Sequence, residues 1–375
     1  MIRWLAMSLL QAVALPGTID TCIRLTLRHR AAGPRSRDSL HRPRRMVAVV
    51  PSRDDAARIG DTLHSIARAA SSGNIAVRAI ALLDGDDAAA AAAAQAAGAE
   101  VLVKQPAGPR KADALEWLAT RHRALIESAD AILLIDAGTQ LCDGFFRDLE
   151  WDARADALQC RIESEGTGLA LAIASSESAA FAEDAAKVAA GWNPRFRGSG
   201  MIATPRFFLE LVPQLRTQVE DWELSLLAGA RGFRVTLAPA QCVIIDTKPA
   251  GSEAAARQRA RWLAGQCELI LGRRSELFRF VARDPLQGLS FAAELLSRPR
   301  SLALPARVAA GIGIAVLGRR STAARLLASA VLLTAAADLS EWAKTTNAST
   351  LVRTWVRAIS FLPAARKRWL SANDR

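Results

Sequence analysis

A chain of 375 residues, 51% of them hydrophobic, can bury a full core and hold one large domain or two. Its formal charge of +12 suits phosphate-rich partners: a nucleotide, nucleic acid or an anionic membrane face. Five cysteines (Cys22, Cys142, Cys160, Cys242, Cys267) form no CxxC pair, which excludes a zinc ribbon or a disulfide framework and favours a reduced, cytoplasmic setting.

Residues 1–27 are apolar from Trp4 to Leu15, then interrupted by Pro16, Asp20 and Arg24. The apolar part falls short of the ~20 residues a span needs. The expectation is therefore an interfacial or marginally spanning helix, held by the basic run at 28–45 behind it. That run contains Gly33, Pro34 and Pro43 and reads as a flexible linker. No RNP, zinc-finger or helix-turn-helix signature accompanies it, so nucleic acid is not the expected partner.

From 46 onward the pattern alternates. Met46–Val50 is a buried-strand run ending at Pro51. A helical segment carrying Ile59, Leu63 and Ile66 follows. Strands are predicted over 76–83, 99–103 and 131–135, with helices over 88–97 and 111–128 between them. Strands alternating with helices imply a mostly parallel sheet. In such sheets ligands sit beyond the carboxyl ends of the strands, where Asp84 and Asp136 fall. Residues 251–297 read as amphipathic helices. Beyond Pro299, 302–317 and 323–337 are apolar runs each short for a span, read as a membrane hairpin or, alternatively, a soluble one. The tail from 353 is rich in Arg and Trp, as a membrane-interface anchor is.

Two clusters carry chemistry. Glu220-Asp221 puts adjacent carboxylates at the head of an apolar helical run. Gln258, Arg261 and Trp262 share one side of a helix, because residues three and four apart are neighbours there. A carboxylate can take a proton from a hydroxyl, a cation can meet charge growing on a leaving diphosphate, and an indole offers a flat face to a sugar or lipid chain. Either cluster alone also fits a solvated helix face, and Asp84 and Asp136 fit helix caps.

Together, and in this order, these elements resemble the family 2 glycosyltransferases, especially the membrane-associated polysaccharide branch. The resemblance covers about residues 46–270. Val47 to Asp55, with Pro51 and Arg53, resembles the family's opening segment. Asp84-Gly85-Asp86-Asp87 resembles its nucleotide-contacting turn, and Lys111-Ala112-Asp113-Ala114-Leu115 its next helix start. Ile135-Asp136-Ala137-Gly138 falls at the D-x-D motif, Arg197-Gly198-Ser199-Gly200 at the donor-sugar loop, Glu220-Asp221 at the E-D pair and Gln258–Trp262 at Q-x-x-R-W.

The resemblance implies a GT-A α/β domain over 46–270. It would be flanked by an apolar segment at 1–27, a linker at 28–45 and a helical membrane-associated region over 271–375. It implies an inverting transferase moving a hexose from a nucleoside-diphosphate sugar, with UDP expected, to a lipid-linked or polysaccharide acceptor, the catalytic domain facing the cytoplasm at the inner membrane. Asp221 would be the base beside Glu220, and Arg261 would stabilise the leaving group. Pro51, Arg53, Asp84, Lys111, Asp136, Gly198, Gly200, Gln258 and Trp262 would bind substrate. Mg²⁺ or Mn²⁺ would sit on Asp136. The departure is Gly138, where the family carries the metal-binding Asp. It leaves three outcomes: a site completed differently, one in which Arg and Lys replace metal, or an inactive scaffold subunit. Restoring Asp at Gly138 is expected to strengthen divalent-ion binding.

Overall fold

The computed structural model describes residues 2–28, 40–147, 149–165, 169–247 and 252–343, with five isolated positions beyond 352. Most of the basic linker and of the Arg/Trp-rich tail lie outside the described residues. A long helix α1 (Ile2–Leu27) and a short strand β1 (Leu40–His41) precede the alternating unit. That unit runs β2 (Arg45–Ser52), α2 (Ala56–Ser71), β3 (Ala76–Asp84), α3 (Ala88–Ala96), β4 (Glu100–Lys104), α4 (Lys111–Arg121), α5 (Arg123–Glu127) and β5 (Ala131–Leu134). The helix expected over 111–128 is two, because His122 leaves helical geometry at φ −117°, ψ 35°.

There follow β6 (Thr139–Leu141), β7 (Trp151–Asp152), β8 (Ala157–Gln159), β9 (Arg161–Glu165), α6 (Leu169–Ala189), β10 (Met201–Ala203), α7 (Pro205–Leu211), α8 (Glu220–Arg231), β11 (Val235–Leu237) and β12 (Val243–Thr247). Five helices close the described chain: α9 (Ser252–Gly272), α10 (Arg274–Arg283), α11 (Pro285–Ser297), α12 (Arg300–Leu317) and α13 (Thr322–Ala343).

The main sheet has seven strands in the order β11-β8-β10-β5-β2-β3-β4. All its pairings are parallel except those of β10, which runs antiparallel to β5 and β8. Period-two alternation along β2 explains the layering. Met46, Ala48 and Val50 face Ile59, Leu63 and Ile66 of α2. Val47 and Val49 face Leu115 and Leu118 of α4, Phe207 and Phe208 of α7, and Leu224 of α8. Both faces are covered, so the parallel strands read as continuous apolar runs. A second sheet, β6-β12-β9, stands beside it, with Asp246 of β12 opposite Thr139 of β6.

The flanking helices depart from expectation. Pro16, Asp20 and Arg24 do not break α1, which runs 26 residues, about 39 Å at 1.5 Å per residue. Trp4–Leu27 and Thr322–Glu341 are each long and apolar enough to cross a membrane. The polar residues are tolerated because neighbouring helices satisfy them. Arg24 pairs with Asp338 of α13 and, at 3.0 Å, with Glu341. Asp338 also meets Arg307 of α12 at 2.5 Å and accepts from Thr21 Oγ1 at 2.7 Å. Beyond this polar end, α1, α12 and α13 share an apolar core of Ala14, Ala310, Ile314, Ala328 and Val331. Their outer faces expose Trp4, Leu9, Val316, Leu326 and Leu333.

Helices α10 and α11 instead pack on the α/β unit. Phe280 and Phe291 join Val219, Trp222, Leu226 and Leu269 in one buried cluster. The chain is expected in the membrane fraction, held by apolar burial. At roughly 1 M salt, where the screening length is about 3 Å, it should stay there, and detergent should extract it. Release by salt alone would show a purely electrostatic attachment.

Candidate active site

Three strand ends define one edge. The register pairs Ser52 with Leu83, Val49 with Leu134, and Asp84 with Lys104, so the chain leaving β2, β3 and β5 emerges on the same side. Asp84 is buried and fully engaged there. Its carboxylate accepts from Arg53 Nη2 at 2.5 Å, Lys104 Nζ at 3.2 Å and the Gly108 N–H at 2.8 Å. A direct bond from Asp84 to a base would compete with these partners. Arg53, with 39% of its side chain exposed, is the group of this cluster open to a ligand. Asp87, not Asp84, caps the following helix, accepting from Ala90 N at 2.9 Å.

At the next strand end, Asp136 meets Lys111, the first residue of α4, at 2.5 Å. The same ammonium reaches Glu220 Oε1 at 2.9 Å and donates to the Gly198 carbonyl at 3.0 Å. Burial works against the ammonium, but Asp136 and then Glu220 outweigh it and hold Lys111 charged far above its ordinary range. One cation thus joins four of the expected motifs: the helix start, the D-x-D position, the glycine loop and the E-D pair.

The glycine loop is held from below. Gln159 at the end of β8 is fully buried. Its Nε2 donates to the Ser199 and Cys160 carbonyls, each at 2.9 Å, and its Oε1 accepts from Arg197 N at 3.0 Å. The Asp136 N–H donates to Ser199 Oγ at 3.0 Å. Gly200 has φ +70°, and a Cβ there would lie 2.6 Å from Ile244 and 3.1 Å from Cys160, so only glycine fits.

Helix α8 opens with Glu220, Asp221 and Glu223 in its first turn, where the helix dipole favours anions. Asp221 lies 3.5 Å from Arg195 Nη1, whose guanidinium stacks 4.1 Å from the Trp222 ring. Burial pushes the Asp221 carboxyl up to about 6, against the pull of Arg195 and with the help of Glu220. Glu223 has a different task. Fully buried, it accepts from Arg216 N and Thr217 N at 2.8 Å and meets Arg273 Nε at 2.6 Å. It fastens the loop that leads into the pair. Arg195, Lys104, Gln159 and Glu223 escaped sequence reasoning. Nothing in the local sequence marks them out, because the role of each arises from neighbours distant in sequence.

The helix carrying Gln258, Arg261 and Trp262 passes this loop: Gly265 of α9 abuts Val219, directly before Glu220. Arg261 and Trp262 lie within one turn of that contact, with Arg261 exposed, Trp262 38% exposed and Gln258 half-buried. The cations that touch Asp136, Glu220 and Asp221 are Lys111 and Arg195 rather than Arg261.

Among the described residues no three His, Cys, Asp or Glu converge on a point that would hold a metal. Hard cations are also bound through one carboxylate with substrate phosphates and water completing the shell. The Asp136 side chain, 44% exposed, fits that mode. Gly138 contributes no ligand. It has φ +91°, and its Cβ position lies 3.2 Å from both Cδ and Nη1 of Arg58, so a guanidinium stands where the motif's second carboxylate would project.

Residues 43–265 match the family described as "Glycosyltransferase like family 2". No curated protein matches the chain. Among solved structures, a mannosyltransferase from Pyrobaculum calidifontis, in complex with GDP-Man and Mn²⁺, superposes with a TM-score of 0.55 at 15% identity, covering 96% of this chain and 99% of that one. A glucosyl-3-phosphoglycerate synthase from Mycobacterium tuberculosis, in complex with Mn²⁺ and UDP, has a TM-score of 0.35 at 19% identity, covering 59% and 79%. Mannosyl-3-phosphoglycerate synthase from Rubrobacter xylanophilus has a TM-score of 0.36 at 15% identity, covering 61% and 75%. The first likeness is a shared fold over nearly the whole chain, the GT-A unit with its flanking helices.

Lys111→Met should destabilise the protein. It leaves Asp136 and Glu220 facing a hydrocarbon end, and because Asp136 is 44% exposed and water screens part of the loss, the expected cost is about 1–3 kcal/mol. Urea unfolding of the detergent-solubilised protein reads the loss. An unchanged midpoint would mean that this cation does not hold the site together.

Proposed function

The chain belongs to glycosyltransferase-like family 2, and on that premise we propose that it is an inverting hexosyltransferase. It moves a sugar from a nucleoside-diphosphate donor to a hydroxyl of a lipid-linked or polysaccharide acceptor. The observation that carries the reading is the Lys111 bridge, which draws Asp136, Gly198 and Glu220 around one point at the carboxyl edge of the sheet. Scattered surface charges would have no reason to meet there.

In this mechanism Asp221 takes the acceptor hydroxyl proton. The acceptor oxygen bonds to the anomeric carbon from the face opposite the diphosphate, the bond to the diphosphate oxygen breaks, and its electron pair leaves with the phosphate. The configuration therefore inverts. Lys111, with Arg261 approaching from α9, offsets the charge that develops on the leaving group. Asp136 would hold a Mg²⁺ or Mn²⁺, which when bound would supply Lewis-acid stabilisation of the diphosphate. Arg53 and Lys104 flank the nucleotide end, and Trp262 offers an apolar face to sugar or lipid. The donor base is uracil or guanine. Uracil is the base the motif resemblance implies, and guanine is the base of the nucleotide sugar bound by the mannosyltransferase that is similar over almost its full length.

Two spans and a polar bundle end against the α/β unit support an acceptor held at a membrane surface. Arg42, Arg44 and Arg45 lie at the unit's entrance, and Arg-rich segments stay on the cytoplasmic side. The catalytic domain accordingly faces the cytoplasm, at the inner membrane.

Asp221→Asn should lower transfer at least about a hundredfold while nucleotide binding persists, since general-base catalysis contributes about 10²–10⁴-fold. With Asp221 titrating near 6, activity should rise through that pH and then level, because only the ionised carboxylate accepts a proton. Full activity of the Asn variant, or a flat profile between pH 5 and 7, would sink the assignment.

Gly138 favours a second reading, a non-catalytic subunit of a membrane polysaccharide complex. Calorimetry with UDP and GDP, with Mn²⁺ or with EDTA, separates the two: binding of neither nucleotide would support the scaffold. Gly138→Asp was expected from the sequence to strengthen metal binding. The position of Arg58 argues for the opposite outcome. The new carboxylate would enter a left-handed backbone position and meet Arg58, which neutralises it before any ion does. Little gain in Mn²⁺ affinity is the expected result, and a tenfold gain would show that Arg58 moves aside.

A further inference from the structure

The group nearest the catalytic carboxylate is itself held by a helix outside the matched family region. Arg195 is a clamped residue. Its ring contact with Trp222, its 3.5 Å approach to Asp221 and its bond to the Phe196 carbonyl at 3.0 Å fix one side. On the other side its Nε lies 3.5 Å from Glu294 of α11. Glu294 is 2% exposed and also pairs with Lys187 at 2.5 Å and with Arg298 at 3.2 Å. Arg298 continues to Glu183 at 2.9 Å, and Glu183 to Arg300 at 2.7 Å and Arg24 at 3.6 Å. An unbroken series of buried and half-buried charges therefore runs from the polar end of the apolar helices to Asp221.

We propose that Glu294 is a positioning residue for the base: by sharing Arg195 it limits that guanidinium's hold on Asp221. The physical reason is competition for one cation. A guanidinium presents a fixed fork and divides its charge between the carboxylates it touches. With Glu294 in place, Arg195 orients Asp221 and leaves it a competent proton acceptor. Without Glu294, Arg195 has Asp221 as its nearest free acid and stabilises the ionised form more strongly, which makes a weaker base. Glu220 and Lys111 face Asp221 from its other side, and Asp184 with Arg197 completes the surroundings of Arg195. None of these is removed by a change at Glu294. Because α11 leads directly into α12, the residue that tunes the base sits beside the α1–α12–α13 bundle without belonging to it.

The proposal rests on the reading of Asp221 as the base, and its test needs no substrate. Trp222 adjoins Asp221 and stacks on Arg195, so its fluorescence should report the titration. The readout is the pH midpoint of the signal that Trp222→Phe removes, in detergent-solubilised full-length protein. The wild type should show a midpoint near pH 6, absent from Asp221→Asn. Glu294→Gln, and Glu294→Gln with Lys187→Met to keep the buried charge balanced, should lower it by about one pH unit, the low end for an opposite charge brought close to a carboxylate. Glu294→Asp, which keeps the charge and should fold most readily, should shift it in the same direction by less. An unmoved midpoint in the variants that fold overturns the proposal. A merely structural role would lower the melting temperature and leave the midpoint in place. If Asp221→Asn still turns over UDP-glucose or GDP-mannose while the midpoint responds to Glu294, the base assignment fails and the coupling stands.

Discussion

One ammonium group organises the cleft. Lys111 stands at the start of α4, yet its charge is spent on Asp136 from the sheet, Glu220 from α8 and the carbonyl of Gly198. Two carboxylates at such close quarters repel in a cleft of reduced dielectric unless a cation lies between them. The bridge therefore fixes how close α8 comes to the sheet edge. It also fixes where Asp221, the next residue along α8, is held. The same bridge aims the glycine loop, because the carbonyl it grips belongs to a residue with φ +84° that places its N–H and C=O away from the usual directions.

Around this point the protein uses buried polar groups as scaffolding. Gln159 ties the glycine loop to β8, Glu223 and Arg273 tie the loop before α8 to α9 and α10, and Asp84 gathers Arg53, Lys104 and Gly108. Each such group is satisfied by two or three partners. Buried charges are tolerated only in that state, and removing any one partner leaves the others costly. Glu268 shows the limit. It is buried behind the loop with the Gln218 N–H as a 3.3 Å partner, and burial pushes its carboxyl up to about 7. Such a group is cheapest when protonated.

The helical flanks are part of the same construction. Phe280 of α10 and Phe291 of α11 pack in one cluster with Trp222, one residue from Asp221. Glu183 of α6 meets Arg24, Arg298 and Arg300 and is held well below the usual carboxylate range: burial opposes its charge, but the arginines prevail, Arg300 most. The α/β unit and the bundle thus share a charged, dehydrated seam. Polar residues in α1 that looked like interruptions of an apolar run are the groups that make this seam.

Period and punctuation were legible in the chain. The apolar runs at 46–50, 76–83 and 131–135, the last two followed by an aspartate, specify buried parallel strands, because both faces of such a sheet are covered. That also places Asp84 and Asp136 at one edge. The order of the short motifs indicated which chemistry to look for there. Contact made across sequence was not legible. Nothing local marks Lys111 as a half-buried bridge rather than a surface charge, or Arg195 as the partner of Asp221. A lone cation acquires its role only when elements roughly a hundred residues apart converge. The same holds for Gly138, whose vacancy in the sequence is filled in space by Arg58. It holds for α1, whose length was hidden because Asp20 and Arg24 find their counter-charges on helices α12 and α13. Local pattern records which face of an element is apolar. Only the tertiary structure decides which charges meet, because electrostatic pairing depends on distance in space and not along the chain.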